Sequence, residues 1–153
     1  MKYKNKISRF LPYSRQFIDR QDILEVQKVL QKDFITQGPK INEFEKNFAK
    51  YVDAKFAVAC ATGTAALHIA CQSLNLKKNG KLLTSPITFV ASANCAQFVG
   101  ANTVFSDIDP NNYCISPDAL EKTLKKKTID IVVVVHMSGH SADMQKIKTL
   151  KKK

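Results

Sequence analysis

The chain has 153 residues, with 24 Lys+Arg against 13 Asp+Glu and a formal net charge of +11. Its 44% hydrophobic content is enough for a core and excludes a disordered polyelectrolyte. No apolar run reaches the length of about 18 residues that a transmembrane helix needs, and the basic stretch 1–15 lacks the apolar centre of a signal peptide.

Apolar residues at Ile23, Val26, Val29 and Leu30 follow helical spacing, and Asp22 reads as a cap or first-turn acid. Gly38-Pro39 breaks the chain, and Pro39 suits the first turn of a second helix with Ile41, Phe44, Phe48, Tyr51 and Val52 on one side. Residues 56–76 carry no charge. Within them 56–60 reads as a buried strand, 61–64 as a tight turn and 65–74 as a helix. The alternation then repeats: a strand at 81–84, a helix at 90–98, a strand at 103–106 and a helix at 117–124. A strand at 131–135, with four valines after an isoleucine, precedes a last amphipathic helix at 143–150. Strands alternating with helices predict an α/β protein with a largely parallel sheet, and the valine run predicts cover on both faces.

Residues 1–15 hold five cations and no acid, 121–153 hold nine lysines against three acids, and 16–120 hold ten charges of each sign. The net charge therefore sits at the two ends, which are read as solvated rather than as a nucleic-acid face. A basic nucleic-acid-binding domain is the weakest of the functional alternatives. Cys60, Cys71, Cys95 and Cys114 are spaced by 11, 24 and 19 residues, which fits neither a zinc nor a thioredoxin pattern. They read as reduced core residues of a cytoplasmic protein. His136, at a strand end, and His140 have no ligand-type neighbours at metal spacing, so no metal is expected. His68 reads as a packed or surface residue, and Asp107 and Asp109 as turn and cap residues.

The turn Thr62-Gly63-Thr64-Ala65 leads from an apolar segment into a helix. A helix start offers unpaired N–H groups and the positive end of the dipole, which favour an anion and phosphate above all. Thr62 as a plain N-cap is the simpler alternative. No G-x-x-x-x-G-K-[ST] or G-x-G-x-x-G motif is present.

Together with its neighbours the turn is distinctive. The segments Phe34-Ile35-Thr36-Gln37-Gly38-Pro39, Phe44-Glu45 and Ala61-Thr62-Gly63-Thr64-Ala65-Ala66-Leu67-His68 resemble those of the DegT/DnrJ/StrS nucleotide-sugar aminotransferases. So do Thr84-Ser85-Pro86-Ile87-Thr88-Phe89-Val90-Ala91-Ser92-Ala93-Asn94, Val99-Gly100-Ala101, Val104-Phe105-Ser106-Asp107-Ile108-Asp109, Val135-His136-Met137-Ser138-Gly139 and Ala142-Asp143. The likeness spans about residues 12–150 in order.

This resemblance implies part of the large domain of the aspartate-aminotransferase fold, with pyridoxal 5′-phosphate (PLP) as cofactor. It matches Gly63, Thr64 and Ala65 to the turn that holds the cofactor phosphate and Phe89 to the aromatic residue stacked on the pyridine ring. Without the motif, Phe89 would read as a core phenylalanine. Tyr13, Phe34, Ile35 and Thr36 match segments near the sugar nucleotide. The implied layout is an N-terminal helical segment with a substrate-side loop over 1–39 and an incomplete PLP-binding domain over 40–153.

The motif at 86–94 looks most like the branch making pseudaminic-acid precursors, which moves an amino group from glutamate to C4 of a nucleotide-linked 4-keto-6-deoxy sugar. In the family the Schiff-base lysine and the acid on the pyridine nitrogen follow the segment matching Asp143. No lysine here stands in the matching motif, so no catalytic residue is assigned and the chain alone is expected to be inactive. A homodimer is implied for the full-length form, with no nucleic acid or membrane partner. A non-catalytic phosphate- or nucleotide-sugar-binding fragment is the main alternative.

Overall fold

The computed structural model describes residues 12 and 14–150, which form two compact units, Met1–Val58 and Ala59–Lys153. Both N-terminal helices belong to the first unit.

In that unit, α1 spans Arg20–Leu30 and α2 spans Pro39–Tyr51. The start of α1 is a capping box. Asp19 Oδ1 accepts the Gln21 and Asp22 N–H groups at 2.7 and 3.0 Å, and Asp22 Oδ2 accepts the Asp19 N–H at 3.0 Å. Asp22 is thus the third helical residue and Asp19 the cap. Gly38 precedes Pro39 without a side-chain cap; a Cβ there would lie 3.1 Å from the Phe34 carbonyl oxygen, so any side chain would crowd the turn. Of the two helices only Ala49 is buried, and Phe44 and Phe48 stack with their ring centroids 5.7 Å apart. Lys40 bridges Glu25 and Glu43, both at 2.9 Å, while Lys28 reaches Glu25 at 2.7 Å.

The second unit holds a three-stranded parallel sheet in the order β2-β1-β3. Its elements run α3 (Gly63–Ser73), β1 (Lys81–Thr84), α4 (Ala91–Gln97), β2 (Asn102–Phe105), α5 (Pro117–Lys126), β3 (Ile131–Val132) and α6 (Met144–Leu150). Leu83 pairs with Val104 on one side and Val132 on the other. Because side chains alternate along a strand, the fully buried neighbours Leu82 and Leu83 serve opposite faces. Leu82 packs with Cys71, Leu76, Cys95, Ala96 and Ala101, and Leu83 with Ile115 and Leu120. Burying each leucine contributes about 1.5–3 kcal/mol. Ile131 and Val133 join the first cluster and Val132 and Val134 the second, so the valine run feeds both faces as predicted.

Three expectations need correction. Residues 56–60 form no strand: neither edge strand pairs with them, and Phe56 and Val58 are each 76% exposed. An apolar run becomes a strand only when a neighbour supplies a ladder. Cys60 is accordingly exposed, whereas Cys71, Cys95 and Cys114 are buried; all four are free thiols. The last strand is shorter than 131–135, because its ladder with β1 covers Leu82 and Leu83 only.

Candidate functional site

The turn into α3 is built by its own side chains. Thr62 is extended (φ −152°, ψ 160°), and its Oγ1 accepts the Ala65 N–H at 3.1 Å. Its carbonyl accepts the Ala66 N–H at 3.0 Å. Those two bonds satisfy the third and fourth donors of the helix. Among the described residues the Gly63 and Thr64 N–H groups make no hydrogen bond, and the first turn carries no acid. The Thr62 cap is thus present, and it leaves the first two donors of the helix over.

Gly63 is not left-handed, and a Cβ built on it meets nothing within 4 Å. Folding does not require a glycine here. Its missing side chain leaves open space beside the two donors, through which an anion can approach the backbone closely. Thr64 and Ala65 are half-buried.

Phe89 lies in the loop between β1 and α4 and is 74% exposed, so it is not a core phenylalanine. Its carbonyl accepts the Ser92 N–H at 3.0 Å, and Thr88 Oγ1 lies 2.8 Å from Ser92 Oγ. The loop is tied down while the ring stays uncovered. Parallel α/β sheets bind ligands outside the carboxyl ends of their strands, and this loop leaves the carboxyl end of the central one.

At the carboxyl end of the adjacent strand, His136 Nδ1 accepts the Ala142 N–H at 3.1 Å. Between them lies a 3-10 turn, Met137–Gly139, with Ser138 (φ 51°) and Gly139 (φ 80°) left-handed. Asp143 then caps α6, with its Oδ1 accepting the Lys146 N–H at 3.0 Å. That bond and the Lys146 ammonium hold its carboxyl below the usual range. Asp109 makes a turn, with Oδ1 accepting the Asn111 N–H at 2.9 Å, as the sequence predicts. Two buried polar atoms have no partner among the described residues, His68 Nε2 and Ser106 Oγ. Nothing in the sequence marks either, since both depend on tertiary neighbours.

Phe34, Ile35 and Thr36 are exposed and stand in the other compact unit, after α1. Tyr13 lies outside the described residues. The first unit also contains a groove of about 870 Å³ between α1 and α2, lined by Val26, Val29, Leu30, Phe44, Phe48 and Tyr51 among others. It is the uncovered side of two amphipathic helices. Glu25 on its rim has its carboxyl lowered to about 2, by hydrogen bonds from Lys28 and Lys40 and by their charge. No cluster of three or more His, Cys, Asp or Glu that could hold a metal ion occurs among the described residues, and none of their helices is long and apolar enough to cross a membrane.

Residues 16–153 match the DegT/DnrJ/EryC1/StrS aminotransferase family. The chain is 42% identical over 142 residues to the spore coat polysaccharide biosynthesis protein SpsC of Bacillus subtilis, covering 93% of this chain and 36% of that protein. It is 39% identical over 145 residues to the UDP-4-amino-4,6-dideoxy-N-acetyl-beta-L-altrosamine transaminase of Campylobacter jejuni, covering 94% and 38%. The PLP form of a Streptococcus pneumoniae sugar aminotransferase structure superposes with a TM-score of 0.83 at 27% identity, covering 93% of this chain and 36% of that one. The chain thus spans little more than a third of the length of the relatives it matches.

Proposed function

The chain belongs to the DegT/DnrJ/EryC1/StrS aminotransferase family, and from that premise we propose that it forms the cofactor-phosphate portion of a PLP-dependent nucleotide-sugar transaminase. In this reading its α/β architecture is a partial large domain of the aspartate-aminotransferase fold. The observation that carries it is the start of α3, where the Thr62 cap leaves two backbone donors beside the open flank of Gly63.

When bound, PLP supplies an electron sink that lets an amino group and a proton move between substrates. The chain's own residues bind and orient. The Gly63 and Thr64 N–H groups hold the phosphate, with the α3 dipole adding to the attraction. Ala65, its N–H engaged by Thr62, fixes the shape of the turn. The exposed Phe89 ring stacks on the pyridine ring, for which a flat aromatic partner is favourable. Tyr13, Phe34, Ile35 and Thr36 are assigned to the sugar nucleotide, within a substrate-side segment 1–39 that precedes the cofactor-binding part 40–153.

The donor is glutamate and the acceptor is C4 of a nucleotide-linked 4-keto-6-deoxy sugar, in surface-glycan or nonulosonic acid biosynthesis. The names of the Bacillus and Campylobacter relatives support that range of substrates. Residues 1–153 are inactive by themselves, and the active form is a cytoplasmic homodimer of the longer protein with no nucleic acid or membrane partner.

The test uses pyridoxine 5′-phosphate, which lacks the aldehyde and cannot react with the chain's many lysines. Titrated into the 15N-labelled chain, it should move the Gly63 and Thr64 amide resonances. Unmoved amides would overturn the cofactor assignment. Turnover of the keto sugar with glutamate and PLP by residues 1–153 alone would overturn the inactivity.

A further inference from the structure

We propose that His136 is a ligand-positioning residue whose Nε2–H donates a hydrogen bond to an anionic oxygen of the molecule bound at the carboxyl edge of the sheet. The inference rests on the reading of the turn at Gly63 as a cofactor site and adds a contact from the segment that follows β3.

A neutral imidazole has one protonated and one bare nitrogen, and the bond made by one sets the state of the other. His136 Nδ1 accepts the N–H of Ala142, a residue only 3% exposed, so Nδ1 is bare and the proton sits on Nε2. The ring is held at its Nδ1 edge against the backbone, while the residue itself is exposed and Nε2 has no partner among the described residues. The result is a pre-oriented donor with no acceptor among the described residues.

Its place is set by the sheet. The Val133 N–H donates to the Leu83 carbonyl at 2.8 Å, and Thr84 Oγ1 donates to the Val133 carbonyl at 3.0 Å, so the line of β3 continues beside β1 past the ladder. His136 follows three residues after Val133, and Phe89 follows five after Thr84. Both therefore leave the carboxyl ends of adjacent parallel strands, where ligands of such sheets bind. The left-handed Ser138 and Gly139 fold the intervening turn back so that Ala142 can reach the imidazole. A donor-only edge recognises an oxygen that accepts, best a charged one. Two sources share that chemistry: the ring oxygen of the cofactor and the carboxylate of the amino-acid donor.

Only three histidines occur, so the imidazole nitrogens can be followed individually by 15N NMR in the chain. Before any addition, His136 should show a bare Nδ1 and a protonated Nε2; the opposite tautomer overturns the proposal. Pyridoxine 5′-phosphate should then shift the Nε2–H and slow its exchange with water if the cofactor is the source. A shift that appears only after glutamate is added identifies the carboxylate.

His136→Asn keeps an acceptor near the Nδ1 position and removes the Nε2 donor. It should preserve the exchange protection of the Ala142 amide and weaken binding of the shifting ligand about tenfold. Unchanged affinity with an intact Ala142 amide would mean that His136 only ties the loop. If the ligands move the Gly63 and Thr64 amides but leave Nε2 untouched, this proposal alone fails. If those amides are also silent, the cofactor reading fails and this inference with it.

Discussion

Replacing Gly63 by alanine separates folding from binding at the candidate site. The added Cβ meets no protein atom within 4 Å, and the residue is not left-handed, so the fold accepts a methyl there. Alanine in a helix interior is favoured over glycine by about 0.5–1 kcal/mol, and less at the first position, so stability should change by between zero and about +0.5 kcal/mol. Binding should respond in the opposite sense. The methyl occupies the open space beside the Gly63 and Thr64 N–H groups and pushes a phosphate out of reach of at least one donor. A hydrogen bond to a charged group contributes roughly 1.5–3 kcal/mol, which corresponds to a loss of about 10- to 100-fold in affinity. Urea unfolding reads the first quantity and calorimetric titration with pyridoxine 5′-phosphate reads the second. Affinity within twofold of the original chain, or a stability loss above about 1 kcal/mol, would refute the reasoning.

Other consequences follow from the same geometry. Gly80→Ala should destabilise the second unit by about 1–3 kcal/mol in urea unfolding, because its Cβ would lie 2.8 Å from the Lys77 carbonyl oxygen and 3.1 Å from Asp130 Oδ2, which accepts the Lys81 N–H. Leu83→Ala should cost about 2–5 kcal/mol by the same assay, since Leu83 is fully buried with Ile115 and Leu120. His68→Leu should leave stability unchanged or raise it, because the buried His68 Nε2 has no hydrogen-bond partner among the described residues; a loss above about 1 kcal/mol would show that nitrogen to be engaged. The Glu25 carboxyl should titrate at about 2 by NMR, where the ordinary value is 4.5. Its folded pKa is depressed, so whatever it contributes to stability is present above the ordinary value and is lost as pH falls from there towards about 2. Lys40→Met should move its midpoint upward.

Much of the second unit is legible from local pattern. β1 falls on Lys81–Thr84 as predicted, because the Leu-Leu pair is bracketed by Gly80 and Pro86, which break any longer element. Pro39 and Pro117 both start helices, where a missing N–H costs nothing. What the local pattern misses is set by partners distant in the chain. Residues 56–60 look like a strand by composition but have no ladder with the sheet, and the valine run pairs only through Ile131 and Val132, with Leu82 and Leu83 of β1. Asp22 is the first-turn acid rather than the cap, because the Asp19 side chain accepts the Gln21 and Asp22 N–H groups.

The candidate site divides in the same way. The Thr62-Gly63-Thr64 turn is visible as a helix start with small polar residues. The exposure of Phe89, the Ala142 N–H bond to His136 Nδ1 and the hydroxyl of Ser106, without a partner among the described residues, are tertiary facts that no residue spacing encodes.

The most direct measurement is a crystal structure of the chain grown with pyridoxine 5′-phosphate. The account predicts phosphate oxygens within hydrogen-bond distance of the Gly63 and Thr64 backbone nitrogens, with the pyridine ring against Phe89. A phosphate held elsewhere, by the lysines of residues 121–150 for instance, would contradict it.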